Sequence, residues 1–178
     1  QFATEEAIAN LREEYGLNRP FYVQYLDWAL NFIKGDWGDS LVNRMPIFPM
    51  VMSRLRNSAM LALVVLMIYV PLGIFLGVLA ALKRDKLPDQ MITTVSMVFV
   101  ALPVFVSSLL LIPLFSHYLG WLPANSSIHP DSSFGEALPF LILPAIAVAL
   151  NSIGYVARMT RAGTIDVLRT DYVRAAYL

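Results

Sequence analysis

NSAMLALVVLMIYVPLGIFLGVLAAL, residues 57–82, runs for 26 positions without a charged side chain, between Arg56 and Lys83. As a helix it would extend roughly 39 Å at 1.5 Å per residue. Crossing the hydrocarbon of a bilayer takes about 20 apolar residues, so this stretch is long enough to span. A second uncharged run lies between Asp89 and His117, and a third from Ala137 to Ala157. Three such runs in 178 residues exclude an ordinary soluble fold. Composition agrees: 57% of residues are hydrophobic and 15% charged, against about a quarter charged in soluble domains, and mean hydropathy is +0.61. The expected fold is all-α, a polytopic bundle of membrane helices with three spans, at about 57–82, 91–116 and 138–157.

Lys and Arg in the short connections set the orientation. The loop KRDKLPDQ holds Lys83, Arg84 and Lys86, and the tail holds Arg158, Arg161, Arg169 and Arg174. The connection from His117 to Ala137 holds no Lys or Arg. The first loop and the tail are therefore expected in the cytoplasm, and the middle connection and residues 1–50 outside. Arg54 and Arg56 oppose this mildly, but long translocated segments follow the rule poorly. An external N-terminal segment needs a route across, so an earlier span is expected before Gln1. The start on Gln rather than Met, and the abrupt end at Leu178, read as a fragment lacking both native termini.

Within the external segment, Thr4 with Glu5 and Glu6 reads as an N-cap followed by first-turn acids. Ile8, Leu11 and Tyr15 recur at helical spacing, and Gly16 stands where a C-terminal cap belongs. Pro20 opens a second helix, FYVQYLDWALNFIK, with Phe21, Tyr25, Trp28 and Phe32 on one stripe. Two readings fit such a stripe: a helix lying at the water–lipid interface, or one packed on the spans. GDWGDS, residues 35–40, is a turn cluster.

What the chain lacks narrows its function. Net charge is zero, so composition implies no attraction to nucleic acid. No cysteine is present, which excludes disulfides and thiolate metal sites. His117 and His129 are the only histidines, without an H-E-x-x-H pattern, and read as solvated loop residues. There is no G-x-S-x-G elbow and no G-x-x-x-x-G-K-[ST] phosphate loop, so ATP binding through a P-loop is excluded for this chain. None of the three runs contains Asp, Glu, Lys, Arg or His. Ion-coupled carriers keep such groups at membrane depth, which disfavours a self-powered carrier or channel subunit. The same absence disfavours a membrane-embedded enzyme.

The runs do contain Pro71, Pro103, Pro113, Pro139 and Pro144. Each removes a backbone donor and can kink a helix, although proline is common in membrane helices generally. Gly73 and Gly77 form a G-x-x-x-G pair suited to close helix approach. Asn151 and Ser152 sit inside the third run, as interhelical hydrogen-bonding groups or as part of a polar translocation path. In the tail, Ile165, Leu168, Tyr172, Ala175 and Ala176 share a helical face. Asp166, Arg169, Asp171 and Arg174 lie elsewhere, with opposite charges three apart at two places. A plain interfacial helix would account for this, and would tolerate changes at the two alanines as a purely structural subunit would.

Four stretches, taken in order, resemble the inner-membrane permease subunits of bacterial ABC importers, in their dipeptide/oligopeptide/nickel branch. They are YGLNRPFYVQYLDWALNFIKGDWGDSL; RLRNSAMLAL with PLGIFLGVLAALKRDKLPDQ; ALPVFVSSLLLIPLFSHYLGWLP; and ILPAIAVALNSIGYVARMTRAGTIDVLRTDYVRAA. The last looks like the approach to the family's EAA motif, Glu-Ala-Ala followed after three residues by Gly. Arg174, Ala175 and Ala176 occupy its first three places, with Arg for Glu, and the Gly would fall past Leu178. The resemblance implies an ABC type I importer permease fold over residues 51–178, preceded by an external helical segment over 1–50. It also implies a cytoplasmic coupling helix at about 164–178 that docks on an ATPase, and alternating access to carry peptides or related solutes. Asp171, Tyr172, Val173, Arg174, Ala175 and Ala176 are the implied coupling residues, with Tyr172 and the alanines as contact surface. The implied partners are cytoplasmic ATP-binding subunits, a second permease subunit, an external substrate-binding protein and membrane lipid. No cofactor is implied in this chain, because ATP would be used by the partner, and no residue of it would be catalytic.

Overall fold

The structure is a computed structural model that describes residues 9, 12, 13, 15–129 and 132–176. Contacts divide the chain into two units, Gln1–Leu55 and Arg56–Leu178. Among the described residues the regular elements are helical: α1 (Phe21–Ile33), α2 (Ile47–Leu82), α3 (Leu87–Ala101), α4 (Val104–Ile112), a π-helical turn (Pro113–Tyr118), α5 (Phe134–Leu168) and α6 (Asp171–Ala176).

In the first unit, Thr4, Glu5, Glu6, Ile8 and Leu11 lie outside the described residues. The end of the helix they were expected to form is visible. Gly16 has φ +61°, its N–H donates to the Glu13 carbonyl at 3.0 Å, and the Leu17 N–H donates to the Arg12 carbonyl at 2.8 Å. This paired closure around a left-handed glycine is a Schellman cap. Helix α1 follows, with Pro20 at its N-cap. Tyr25, Trp28 and Phe32 form a ladder of rings with centroids 6.0 and 5.4 Å apart, continued by Trp37 at 4.6 Å from Phe32 and by Phe48 at 5.2 Å from Trp37. Phe21 leaves the expected stripe and pairs with Tyr22 instead. The turn cluster closes with Gly35 and Gly38 at φ +90° and +70°, and the Asp36 carboxylate accepts from the Gly38 N–H at 3.0 Å. Glycine takes such backbone angles more readily than any residue with a Cβ.

In the second unit, α5 is the central helix. Ser133 and Glu136 start it with a reciprocal capping box. Val64 and Val65 of α2 share a buried cluster with Ala137, Leu141 and Ala145 of α5. Farther along, Gly73 lies against Val156, and Gly77 against Ala157 and Thr160. The register rises together in both helices, so α2 and α5 run parallel. Helix α3 runs against them, with Ser96 and Val100 seated on Gly154. Neighbours on more than one side explain why Leu141, Leu143, Ala145, Ala147 and Ala149 are all buried, a pattern a one-faced helix does not give. Both α2 and α5 are long and apolar enough to cross a membrane. Pro71, Pro139 and Pro144 lie inside these two helices without ending them.

The second apolar run behaves differently from a single rod. Helix α3 and the segment Val104–Tyr118 meet at 101°, so they make a third span only as a bent pair. Leu102 (φ −80°, ψ 126°) and Pro103 (φ −58°, ψ 140°) are both extended. Proline disfavours the helical region for the residue before it and supplies no N–H of its own, and two extended residues in succession turn the chain.

The glycines give the helix contacts a direct test. A Cβ on Gly77 would stand 2.6 Å from the Ala157 carbonyl oxygen, whereas one on Gly163 would meet nothing within 4 Å. Gly77→Ala is expected to destabilise the subunit by about 1–3 kcal/mol through overpacking. Gly163→Ala is expected to stabilise it by about 0.5–1 kcal/mol through helix propensity. Thermal unfolding of the two variants in detergent measures both.

Candidate functional site

The end of the second unit that carries the basic loop is built around one acid. Among the described residues Asp89 is the one fully buried charged side chain, 3% exposed. It stands in the first turn of α3, behind the N-cap Lys86 and beside a helix-starting Pro88. Its Oδ2 accepts from the Asp85 N–H at 2.9 Å. That bond needs the chain to double back, and Asp85 does so at φ +61°, a region Asp tolerates better than most residues. Arg161 of α5 completes the shell. Its Nε donates to Oδ1 and its Nη2 to Oδ2, each at 2.6 Å, and the Thr93 hydroxyl adds a contact to Oδ1 at 3.4 Å. A two-point guanidinium–carboxylate bond fixes both separation and rotation. It joins residues 72 positions apart and brings the loop of Lys83, Arg84 and Lys86 to the same end as the basic tail. Burying such a pair adds little net stability, but removing one partner strands the other, at about 3–5 kcal/mol.

Ten residues before Arg161, Asn151 holds the other end of α3. Its amide Nδ2 lies 3.1 Å from the Phe99 carbonyl, 3.3 Å from that of Val100 and 3.3 Å from that of Leu102. Without the break, the Phe99 carbonyl would take its bond from residue 103, which is proline. Asn151 therefore supplies, from a neighbouring helix, the donor that the proline removes, which is how a broken helix is tolerated at membrane depth. The Ser152 hydroxyl donates to the Val148 carbonyl of its own helix at 3.2 Å. These are the interhelical and intrahelical bonds open to such residues in a span.

The six expected coupling residues are kept together, but apart from the helix before them. A single helix was expected over 164–178; the structure ends α5 at Leu168 and begins α6 at Asp171, and residues 177 and 178 lie outside the described residues. The reason is local. The N–H groups of Arg169 and Thr170 bond back three residues, to Asp166 and Val167, and the Thr170 hydroxyl takes the Val167 carbonyl as well, at 2.7 Å. A side chain that competes for the last carbonyls tightens and ends a helix. Asp171, Tyr172, Val173, Arg174, Ala175 and Ala176 thus form a separate short helix, on which Asp171 and Ala175 are exposed and Val173 is half-buried. Nearer the core, Arg158 donates to the Gly154 carbonyl at 3.1 Å and lies 5.2 Å from the Tyr155 ring centre.

Sequence reading missed the Asp89–Arg161 pair. The single signal was an acid placed directly after a Lys-Leu-Pro helix start, and nothing in the sequence ties it to an arginine 72 residues away.

Residues 73–178 match the family of the binding-protein-dependent transport system inner membrane component. Among curated proteins, the chain is 33% identical over 174 residues to a protein of Sinorhizobium fredii named as a probable peptide ABC transporter permease, covering 98% of this chain and 56% of that one. It is 37% identical over 167 residues to an oligopeptide transport system permease protein of Bacillus subtilis, covering 92% and 53%. It is 34% identical over 174 residues to a glutathione transport system permease protein of Escherichia coli, covering 98% and 54%. The chain thus spans about half the length of the curated relatives it matches.

Replacing Asn151 by Leu removes the donor from the carbonyls at the break and is expected to cost about 1–2 kcal/mol. Ser152→Ala, which touches only its own helix, is expected to change stability by less than about 0.5 kcal/mol. Equilibrium unfolding of the subunit in mixed micelles compares them.

Proposed function

We propose a function from one premise: this chain belongs to the family of binding-protein-dependent transport system inner membrane components, and so to the bacterial inner membrane. On that premise it is the membrane-spanning permease part of an ATP-driven importer for peptides or related small solutes. A cytoplasmic ATPase docks on α6, a second permease subunit completes the path, and an external binding protein delivers the solute. The chain performs no chemistry. It converts ATPase closure into a change of helix arrangement, as rigid-body and hinge transitions do.

The observation that carries this reading is the detachment of α6. A permease driven from outside its own fold needs a short element, not continuous with a span, that leaves surface open to a partner. Asp171–Ala176 has that form, set off from α5 by the tightened turn at Arg169 and Thr170. Two alanines let a partner backbone approach closely, which is how small residues serve tight helix contacts. The bent pair at Leu102 and Pro103 offers a point at which the bundle can flex. The cargo named for relatives varies from peptides to glutathione, and the shared chemistry is an amide-linked small solute.

The absence of cysteine makes the docking contact measurable. A single Cys at Ala175 of the full subunit, co-expressed with its ATPase carrying scanned single cysteines, is expected to give a crosslink whose yield changes with ATP. An inserted subunit that gives no crosslink at any scanned position overturns the docking role. Ala175→Asp is expected to leave insertion unchanged and lower uptake at least about tenfold, since a charge buried in the contact would go unpaired.

A further inference from the structure

We infer that Asp89 and Arg161 are positioning residues for ATPase coupling: their two-point bond clamps the end of α5 to the start of α3, so that displacement of α6 moves both helices together. This rests on the importer reading above and adds a specific transmission element to it.

Three features of the joint support the inference. First, Arg161 carries the side-chain bond that ties the last turns of α5 to α3. Beyond it Ala162, Gly163, Asp166, Val167 and Leu168 are exposed, Thr164 and Ile165 are half-buried, and a Cβ on Gly163 would meet nothing within 4 Å. A helix end that is only partly covered turns most easily about its last cross-helix bond, and α6 follows three residues after Leu168. Second, the contact is built for direction. The carboxylate is held from behind by the Asp85 N–H and the Thr93 hydroxyl, and from the front by two guanidinium nitrogens. Rotation or sliding of α5 against α3 breaks at least one of these bonds. An apolar pair of the same bulk would fill the space without resisting such motion, and would fold as well or better. Third, α3 leads from this clamp to the break. Asp89 lies in its first turn, and its far end is the segment bonded to Asn151 before Pro103. Motion imposed at α6 therefore has a short rigid route to the one place where the second run is already bent.

The experiment uses the complete transporter, with both permeases, ATPases and binding protein, in liposomes, and measures solute uptake and ATP hydrolysis together. The informative variant is Asp89→Asn with Arg161→Met. It leaves no stranded charge, keeps an acceptor for the Asp85 N–H, and preserves the arginine stem volume. The expected result is a folded, assembled complex whose uptake per ATP falls at least about fivefold, the low end of ordinary coupling free energies. Arg161→Lys keeps the charge but loses the two-point fit, and is expected to give an intermediate ratio. An unchanged ratio in the double variant overturns the inference, because the pair then only supports folding. Failure of both variants to assemble at any permissive temperature overturns it in the same way. The importer reading fails separately: wild-type complex without ATP-driven uptake rejects that reading before the pair is considered.

Discussion

Arg161 closes on Asp89 with two 2.6 Å bonds, and the arrangement of the membrane unit depends on that closure. It makes a loop of three cations and a tail of four converge on one end of the bundle, although like charges alone would separate them. It sets the register of α3 against α5, from which the positions of Gly154 and Asn151 follow. It also lies between the well-buried part of α5 and its more exposed last turns. A buried pair with all its lone pairs engaged rewards one geometry and penalises its neighbours.

Farther from that end, geometry is set by the absence of side chain rather than by its presence. Gly73 and Gly77 admit Val156, Ala157 and Thr160, and Gly154 admits Ser96 and Val100. In lipid there is no gain from hiding apolar surface from water, so helices associate through close packing and polar contacts. The run of buried alanines on α5 belongs to the same economy of volume. Asn151 solves the opposite problem: a proline in a span strips a donor from the backbone, and a neighbouring helix must return one.

The all-α class, three apolar runs and the side on which the cations gather were legible in the sequence, because hydrophobic length and charge placement are one-dimensional properties. Gly73 and Gly77 were legible as a close-approach pair for the same reason. The 101° bend between α3 and α4 was not. Five prolines looked alike, and only the backbone of Leu102 distinguishes Pro103 as a break from Pro71, Pro139 and Pro144 within continuous helices. The separation of α6 from α5 was missed because the face shared by Ile165, Leu168 and Ala175 reads as continuous, while the competing bonds of Thr170 appear only when the backbone is built. Asp89 and Arg161 were hidden for a topological reason: their meeting depends on how two antiparallel helices register over 72 residues. The DYVRAA stretch was expected as a site from its resemblance alone, and the structure gives the bounds of its helix, Asp171–Ala176.

The central claim is that α6 is the surface on which a cytoplasmic motor acts. Hydrogen exchange over residues 169–176 of the full subunit, measured in lipid with and without its ATPase bound, tests it most directly. A helix of six residues exchanges fast when alone, and docking slows it. The account predicts strong protection of Asp171–Ala176 on ATPase binding, with little change in the exposed turns on the opposite side of the bundle. A stable complex with the ATPase in which these amides exchange as fast as before would contradict it.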